Sequence, residues 1–261
     1  MPTLDAAACA ALMDDLTRIT VDAAKTILGL AGTHAVRNKP DGSPVTAADE
    51  AAEAVICEGI ARILPGVPII SEERAAQGPP RPPERGSYFL VDPLDGTREF
   101  IAGRGEYTTN IALLTDRIPI LGVICAPALT EIWRGIVGEG ADRYEDLAAK
   151  QSLPIHVRPR PRNQSIVLVS RSHLDAKTQD FVGALTGART TSSGSSIKFC
   201  RIAEGKADLY PRLAPTHDWD IAAGHAILVA AGGSLTTPDG EPVVYGSKTL
   251  TIPAFVARGS A

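Results

Sequence analysis

The chain lacks the motifs of several common site classes. Its four cysteines lie far apart in 261 residues and form no CxxC pair, and its five histidines show no zinc-type spacing. Isolated cysteines of this kind are typical of small apolar side chains in a reducing compartment. Neither GxxxxGK[ST] nor GxGxxG occurs, so nucleotide binding by those loops is unsupported. The sequence therefore predicts neither a disulfide scaffold nor a zinc site.

An excess of basic residues and long apolar runs are missing as well. Lysine and arginine number 26 against 30 acidic residues, which leaves a net charge of −4 and disfavours binding of nucleic-acid polymers. No apolar stretch approaches the roughly 20 residues of a membrane-spanning helix, and the N-terminus has no signal-peptide pattern. We therefore expect a cytoplasmic protein without an integral membrane segment. Its oligomeric state and any peripheral membrane attachment stay open.

Helical periodicity in the first quarter of the chain gives way to strands. Apolar residues from Leu4 to Ile27 recur at helical spacing, and a second helix is predicted over about 46–64. Strands over 87–92, 107–115, 118–125 and 131–137 suggest an antiparallel meander packed on these helices. Beyond a proline-rich seam at about 142–162, strands and helices alternate. We predict a layered α/β sandwich with an N-terminal α+β half (1–153) and a C-terminal α/β half (154–261).

The most informative segment is the acidic turn from Asp92 to Thr97, which closes the apolar run 88–91. Asp92 and Asp95 stand at the end of a predicted strand, with a helix predicted to begin shortly after them. Carboxylates without nearby histidine or cysteine favour Mg²⁺ over zinc. Further acidic residues at element ends are Asp49, Glu72 and Asp220. The pattern indicates a magnesium-dependent phosphatase.

Each of these residues also has a purely structural interpretation. Asp-Pro-Leu-Asp-Gly is a good turn sequence, and Thr97 can cap a helix. Thr46 and Asp49 fit a capping box, and Asp220 suits the start of a helix on dipole grounds. Glu72 can be a solvated loop residue. Spacing in the sequence does not show whether these side chains meet in space, so both interpretations stay open.

Three separated motifs resemble the signature of the inositol monophosphatase superfamily. They are Glu72-Glu73, the segment from Asp92 to Thr97, and Trp219-Asp220. This resemblance implies the layered sandwich fold, with an active site between the halves. It also implies that two or three Mg²⁺ ions are held by Glu72, Asp92, the Leu94 carbonyl, Asp95 and Asp220. Thr97 and Asp49 would orient and deprotonate the attacking water, and Gly96 and Thr97 would bind the scissile phosphate.

Other segments resemble the 3′(2′),5′-bisphosphate nucleotidases of the CysQ type within that superfamily. They are residues 97–100, 105–107, 170–173, 193–200 and 203–212. The implied substrate is 3′-phosphoadenosine 5′-phosphate (PAP), a by-product of sulfate assimilation, and the implied products are AMP and phosphate. Sensitivity to lithium is implied too.

A bisphosphorylated nucleotide carries a second phosphate that the metal cluster does not neutralise. Lys198 and Arg212 can hold it through charge-assisted hydrogen bonds, and the resemblance adds His173 and Ser195 to this pocket. Ordinary surface charge is the alternative interpretation. Two other functions stay open: action on inositol monophosphate or fructose 1,6-bisphosphate, and non-catalytic sensing of the nucleotide.

Overall fold

A seven-stranded and a five-stranded β-sheet organise the protein. The structure is a computed structural model and describes residues 4, 6–32, 35–76, 78, 81–161, 163–172 and 174–260. The helices are α1 (Ala6–Gly29), α2 (Ala47–Ile63), α3 (Glu72–Ala75), α4 (Thr97–Ile101), α5 (Ala176–Gly183), α6 (Ile197–Ala203) and α7 (Asp218–Ala230). The strands are β1 (Arg37–Asn38), β2 (Pro44–Val45), β3 (Ile69–Ser71), β4 (Ser87–Asp95), β5 (Thr108–Thr115), β6 (Ile118–Ala126), β7 (Glu131–Ile136), β8 (Gly140–Tyr144), β9 (Leu153–Ile155), β10 (Ile166–Ser170), β11 (Arg189–Ser193), β12 (Leu209–Arg212), β13 (Thr216–His217), β14 (Ser234–Thr236), β15 (Thr251–Ile252) and β16 (Phe255–Arg258).

The seven-stranded sheet follows chain order from β3 to β9 and is covered on both faces. Strands β4 to β9 pair antiparallel, and β3 pairs parallel to β4. Successive side chains of a strand point to opposite faces. Phe89 and Val91 therefore pack with α1 and α2, whereas Tyr88 and Leu90 join the core that contains α7. Burial on both faces explains the uninterrupted apolar run that precedes Asp92.

The five-stranded sheet has the order β11-β10-β12-β16-β14 and completes a layered arrangement. Helices α6 and α7 lie between the two sheets, where residues such as Phe199 and Ala223 share one buried cluster with residues of both. Helix α5 covers the far face, with Phe181 and Val182 packed against Val167. The layers run helix, sheet, helix, sheet, helix, which confirms the predicted α/β sandwich.

The predicted seam is partly regular structure. Strands β8 and β9 extend the first sheet into it, with Asp142 opposite Pro154. The signal was weak because both strands are short and β9 contains proline, which edge strands tolerate. The boundary after residue 153 falls inside β9, and the division into halves stays a prediction. No helix in the described part of the chain is long and apolar enough to cross a membrane.

Candidate functional site

The acidic turn is formed by an irregular end of β4. Asp92 pairs with Asn110 and Asp95 with Thr108, so the register shifts between the two aspartates. Such a bulge re-aims side chains at the end of a strand. Gly96 then takes a left-handed φ of 93°, and a Cβ atom there would lie 3.2 Å from the Glu106 carbonyl oxygen. Glycine at this position allows α4 to begin immediately at Thr97.

A cavity of about 440 Å³ lies where the two sheets and α7 meet. The structure brings most of the predicted site residues to its wall, from segments far apart in the chain. They are Glu72, Asp92, Leu94, Asp95, Gly96, Thr97, Ser195, Lys198, Arg212 and Asp220. Asp49 stands directly behind Thr97. His173 lies outside the described residues, so its predicted role is untested.

Four of the carboxyl groups that line this cavity are those of Glu72, Asp92, Asp95 and Asp220, and the pKa values of the first three are raised. Burial, followed by repulsion from Glu72, raises the pKa of Asp92 well above its usual value. Enclosure and the neighbouring Asp220 raise the pKa of Asp95 to about 7. Enclosure also raises the pKa of Glu72. A nearby positive charge stabilises the ionised form of such a carboxylate cluster.

Protein donors already contact two of these carboxylates. The Lys39 ammonium lies 2.7 Å from Glu72 Oε1 and 2.7 Å from Glu73 Oε1. Although burial opposes its charge, Glu72 and Glu73 raise the pKa of Lys39. Asp220 Oδ2 accepts hydrogen bonds from the Thr216 hydroxyl and, at 3.1 Å, from the His217 amide. Accordingly, no group of three or more acidic, histidine or cysteine side chains is arranged as a formed metal centre among the described residues.

The chemistry of the donor set nevertheless fits a hard divalent cation. It consists of carboxylate oxygens and the Leu94 carbonyl, without sulfur or imidazole, and such donors suit Mg²⁺. The mutually raised carboxyl pKa values identify a place where added positive charge is favourable. Ligation by Glu72, Asp92, Leu94, Asp95 and Asp220 stays a prediction.

Asp49 connects the start of α2 to the start of α4. Its Oδ2 accepts hydrogen bonds from the Thr46 amide at 2.8 Å and the Thr46 hydroxyl at 2.6 Å, which forms the predicted capping box. Its Oδ1 accepts a 3.0 Å hydrogen bond from the Thr97 hydroxyl. Burial raises the pKa of Asp49, although these hydrogen bonds oppose the shift. One side chain therefore makes the contacts of both the structural and the catalytic interpretation.

Two cations, Lys198 and Arg212, line the same cavity, and their charges oppose the rise in the pKa of Asp95. Lys198 is only 2% exposed, and its Nζ lies 3.2 Å from the Ser193 carbonyl oxygen and 4.9 Å from the Tyr210 ring centroid. Arg212 donates from Nη2 to the Pro215 carbonyl at 3.3 Å, and its buried Nε has no partner in the described structure. Lys198 is therefore not an ordinary surface charge. Ser195 has a left-handed φ of 46°, which marks the loop before α6 as tightly constrained.

Sequence reasoning missed several residues of the cavity region. Lys39 belongs to the turn between β1 and β2, whose composition indicated only a loop. Glu99 lines the cavity and lies in the segment 97–100 that resembles the CysQ type, but that resemblance assigned Glu99 no role. His217, which precedes Trp219-Asp220, also lines the cavity and stacks on Trp219 with ring centroids 4.7 Å apart. From the sequence, the position of His217 beside the start of the Asp220 helix favoured a structural role.

Known proteins resemble this chain over most of its length. The 3′(2′),5′-bisphosphate nucleotidase CysQ of Escherichia coli strain K12 is 44% identical over 213 residues, which are 80% of this chain and 82% of the relative. The nucleotidase CysQ of Buchnera aphidicola is 37% identical over 237 residues, 90% of this chain and 87% of the relative.

A solved structure agrees with these sequence relatives. The crystal structure of CysQ from Bacteroides thetaiotaomicron, a bacterial member of the inositol monophosphatase family, superposes with a TM-score of 0.77 at 33% identity. The match covers 95% of this chain and 96% of that structure. Residues 5–259 also match the profile of the Inositol monophosphatase family. From its acidic turn to its layered sheets, the chain belongs to the inositol monophosphatase family.

Proposed function

We propose that the protein is a Mg²⁺-dependent 3′(2′),5′-bisphosphate nucleotidase that converts PAP to AMP and phosphate. One observation carries this proposal: a carboxylate cluster and the enclosed pair Lys198 and Arg212 line the same cavity. The cluster suits a metal-assisted phosphate ester cleavage, and the cations suit a second phosphate. The similarity to CysQ nucleotidases supports the same substrate class. The four buried free thiols suit a cytoplasmic protein.

Two or three Mg²⁺ ions would be held by Glu72, Asp92, the Leu94 carbonyl, Asp95 and Asp220. When bound, such ions lower the pKa of a water molecule and stabilise the leaving oxygen. Deprotonation of the carboxyls accompanies metal binding, because the charged form is the ligand. The Lys39 ammonium, which contacts Glu72 Oε1, would compete with a metal ion for that carboxylate.

In this proposal, Thr97 and Asp49 orient and deprotonate the attacking water. Thr97 Oγ1 donates its own proton to Asp49 Oδ1, which leaves the hydroxyl lone pairs available to accept from water. Asp49 therefore accepts the proton through the threonine hydroxyl, as a coupled general base. The amides of Gly96 and Thr97 would hold the scissile phosphate beside this pair. No covalent phosphoenzyme is required.

The second phosphate would be held by Lys198 and Arg212, together with Ser195 and His173. Lys198 is anchored to the Ser193 carbonyl, so its charge is fixed at the wall before substrate arrives. Arg212 has a buried Nε–H without a protein acceptor in the described structure, and a phosphate oxygen would satisfy it. An inositol monophosphate has no second phosphate to use this pair.

The test compares phosphate release from PAP, inositol 1-phosphate and fructose 1,6-bisphosphate with Mg²⁺ at matched concentrations. We expect a strong preference for PAP. Lys198→Met and Arg212→Met keep side-chain length but remove charge, and each should lower kcat/KM for PAP by about tenfold to a hundredfold. Lys177→Met is the matched control, because Lys177 is an exposed lysine of α5. A preference for inositol 1-phosphate would reassign the substrate, and no turnover with metal bound would favour a nucleotide sensor.

A further inference from the structure

One part of the cavity wall is acidic although a bisphosphate is an anion. This acidic wall consists of Glu99 on α4, Ser172 after β10 and Gly194 after β11, and Glu106 in the segment before β5 packs against it. A Cβ atom on Gly194 would lie 2.6 Å from the Glu106 carbonyl oxygen and 3.1 Å from Glu99 Cγ. The loop after β11 therefore packs directly on both glutamates.

The charge of Glu106 is compensated within the protein. Its Oε2 lies 2.6 Å from Arg171 Nη2 and accepts a 3.1 Å hydrogen bond from the Gly194 amide. These contacts join the segment before β5 to the ends of β10 and β11. Glu106 therefore has a structural explanation that requires no ligand.

Glu99 differs from Glu106 in its surroundings. It is only 4% exposed, lines the cavity, and accepts at Oε1 a 2.5 Å hydrogen bond from the Ser172 hydroxyl. Across the described ranges, no ion pair with a lysine or arginine nitrogen within 4.0 Å involves Glu99. A buried carboxylate lacking a counter-cation is unfavourable, and a hydroxyl supplies only one of the donors that its two oxygens can accept. The remaining acceptor capacity is available at the cavity wall.

The charge of a carboxylate decides which part of the substrate can lie against it. Phosphate groups are repelled by Glu99, and they have Lys198 and Arg212 elsewhere in the same cavity. The uncharged part of a nucleotide carries hydrogen-bond donors, which a carboxylate binds more strongly than a neutral acceptor does. The acidic wall is therefore better suited to contact the nucleoside than to contact a phosphate group.

We infer that Glu99, positioned by Ser172, determines specificity by accepting a hydrogen bond from the nucleoside of the substrate. The donor is either the ribose 2′-hydroxyl or the 6-amino group of adenine, which present the same chemistry to a carboxylate. This inference rests on the proposed nucleotidase function. It gives the enzyme a means of recognising the nucleoside that is separate from recognition of the two phosphates.

The experiment measures kcat/KM for three substrates with the full-length, Mg²⁺-loaded enzyme. They are PAP, its 2′-deoxy analogue, and its inosine analogue, which carries an oxygen in place of the 6-amino group. Wild type should prefer PAP over one analogue by about tenfold or more, and the identity of that analogue shows which group is the donor. Glu99→Gln should reduce this preference to within about twofold. Ser172→Ala should reduce it partly, because the carboxylate loses its anchor.

Glu58→Gln, an exposed glutamate of α2, should leave the preference at the wild-type value. Thermal unfolding of each variant verifies folding, and Ser172→Ala carries the test should Glu99→Gln not fold. Two results overturn the inference: wild type that uses both analogues as well as PAP, or a folded Glu99→Gln that keeps the full preference. A wild type that prefers inositol 1-phosphate to PAP would instead overturn the proposed function.

Discussion

Single residues of this protein serve the fold and the proposed chemistry together. Asp49 directs one carboxylate oxygen to the capping box with Thr46 and the other to the Thr97 hydroxyl. The sequence predicted each contact but left the two interpretations as alternatives. The capping box was predictable because it is local. The contact with Thr97 spans 48 positions and depends on how α2 packs beside β4.

Replacing Asp49 with asparagine tests its role as the general base. Turnover of PAP should fall by about 10²- to 10⁴-fold, because an amide cannot accept the proton. Affinity for PAP should change little, since Asp49 lies behind Thr97 rather than on the cavity wall. The weaker cap should lower the Tm by a few degrees. Single-turnover phosphate release and calorimetric PAP binding measure the two effects.

Thr46→Ser keeps the hydroxyl of the capping box and serves as the control. Its turnover should stay close to that of wild type. Full turnover by Asp49→Asn would contradict the proposed mechanism, whatever the effect on stability.

The raised pKa of Asp95, about 7, links stability to pH. An unfolded aspartate titrates near 3.9, so between about pH 4 and pH 7 the folded protein holds a proton that the unfolded chain has released. The free energy of unfolding therefore decreases as pH rises through this window. The metal-free protein should have a Tm roughly 5 °C or more lower at pH 8 than at pH 5.5.

Mg²⁺ should raise the Tm more at pH 8 than at pH 5.5, because it binds the charged carboxylates. Differential scanning calorimetry with chelator and with Mg²⁺ gives all four values. Asp95→Asn should reduce the difference between the two pH values in the metal-free protein. A metal-free Tm that is equal or higher at pH 8 would contradict this prediction.

At the scale of elements, close backbone contact positions α7 against the first sheet. A Cβ atom on Gly122 of β6 would lie 2.3 Å from the Ala223 carbonyl oxygen of α7. Helix α7 begins at Asp218 and places Asp220 at the cavity. The distance between α7 and the first sheet therefore affects the position of Asp220. The sequence predicts a helix over about 219–231, but a glycine in a strand does not reveal which backbone it faces.

Gly122→Ala should therefore destabilise the fold. The added methyl group meets main chain that cannot rotate away, and overpacking of this kind costs about 1–3 kcal/mol. The Tm should fall by roughly 4–10 °C in thermal unfolding. Gly183→Ala is the matched control, because a Cβ atom there has nothing within 4 Å and should leave the Tm unchanged or slightly higher. Equal Tm values for the two variants would show that α7 adjusts freely.

The helices and strands that could be predicted from the sequence are those with a clear hydrophobic periodicity. Helices α1 and α2 and strands β4 to β7 have strong patterns, and the structure confirms them with small shifts at their ends. Strands β11 and β13 to β16 were missed: β11 is a polar run of mostly exposed residues, and the others have two to four residues. Their place in a sheet comes from neighbours distant in the chain, which no local pattern encodes.

At the scale of the whole molecule, one buried cluster joins both sheets. It includes Tyr88 and Trp133 of the first sheet, Phe199 and Trp219 between the sheets, and Phe255 of the second. The sequence-based boundary after residue 153 separates two segments that share this cluster. Composition and loop residues can indicate such a boundary, but they do not report how much apolar surface crosses it.

Unfolding should accordingly be a single cooperative transition. Trp133 and Trp219 lie on opposite sides of the predicted boundary, so single-tryptophan variants report each side. In urea, each of the variants Trp219→Phe and Trp133→Phe should unfold with the same midpoint by tryptophan fluorescence and by circular dichroism. Fragments 1–153 and 154–261, made separately, should lack cooperative unfolding. Separate midpoints or a folded fragment would show that the halves are independent domains.

The Glu106 carbonyl oxygen lies between two glycines, Gly96 beside the acidic turn and Gly194 in the loop after β11. The main-chain oxygen at position 106, which every amino acid carries, thus limits how closely the two loops approach, while the Glu106 carboxylate also binds the Gly194 amide. Evolution, or an engineer, can exchange the chemical groups around the substrate while that limit stays constant. A side chain of the cavity wall can then be replaced without moving the main chain beside the acidic turn.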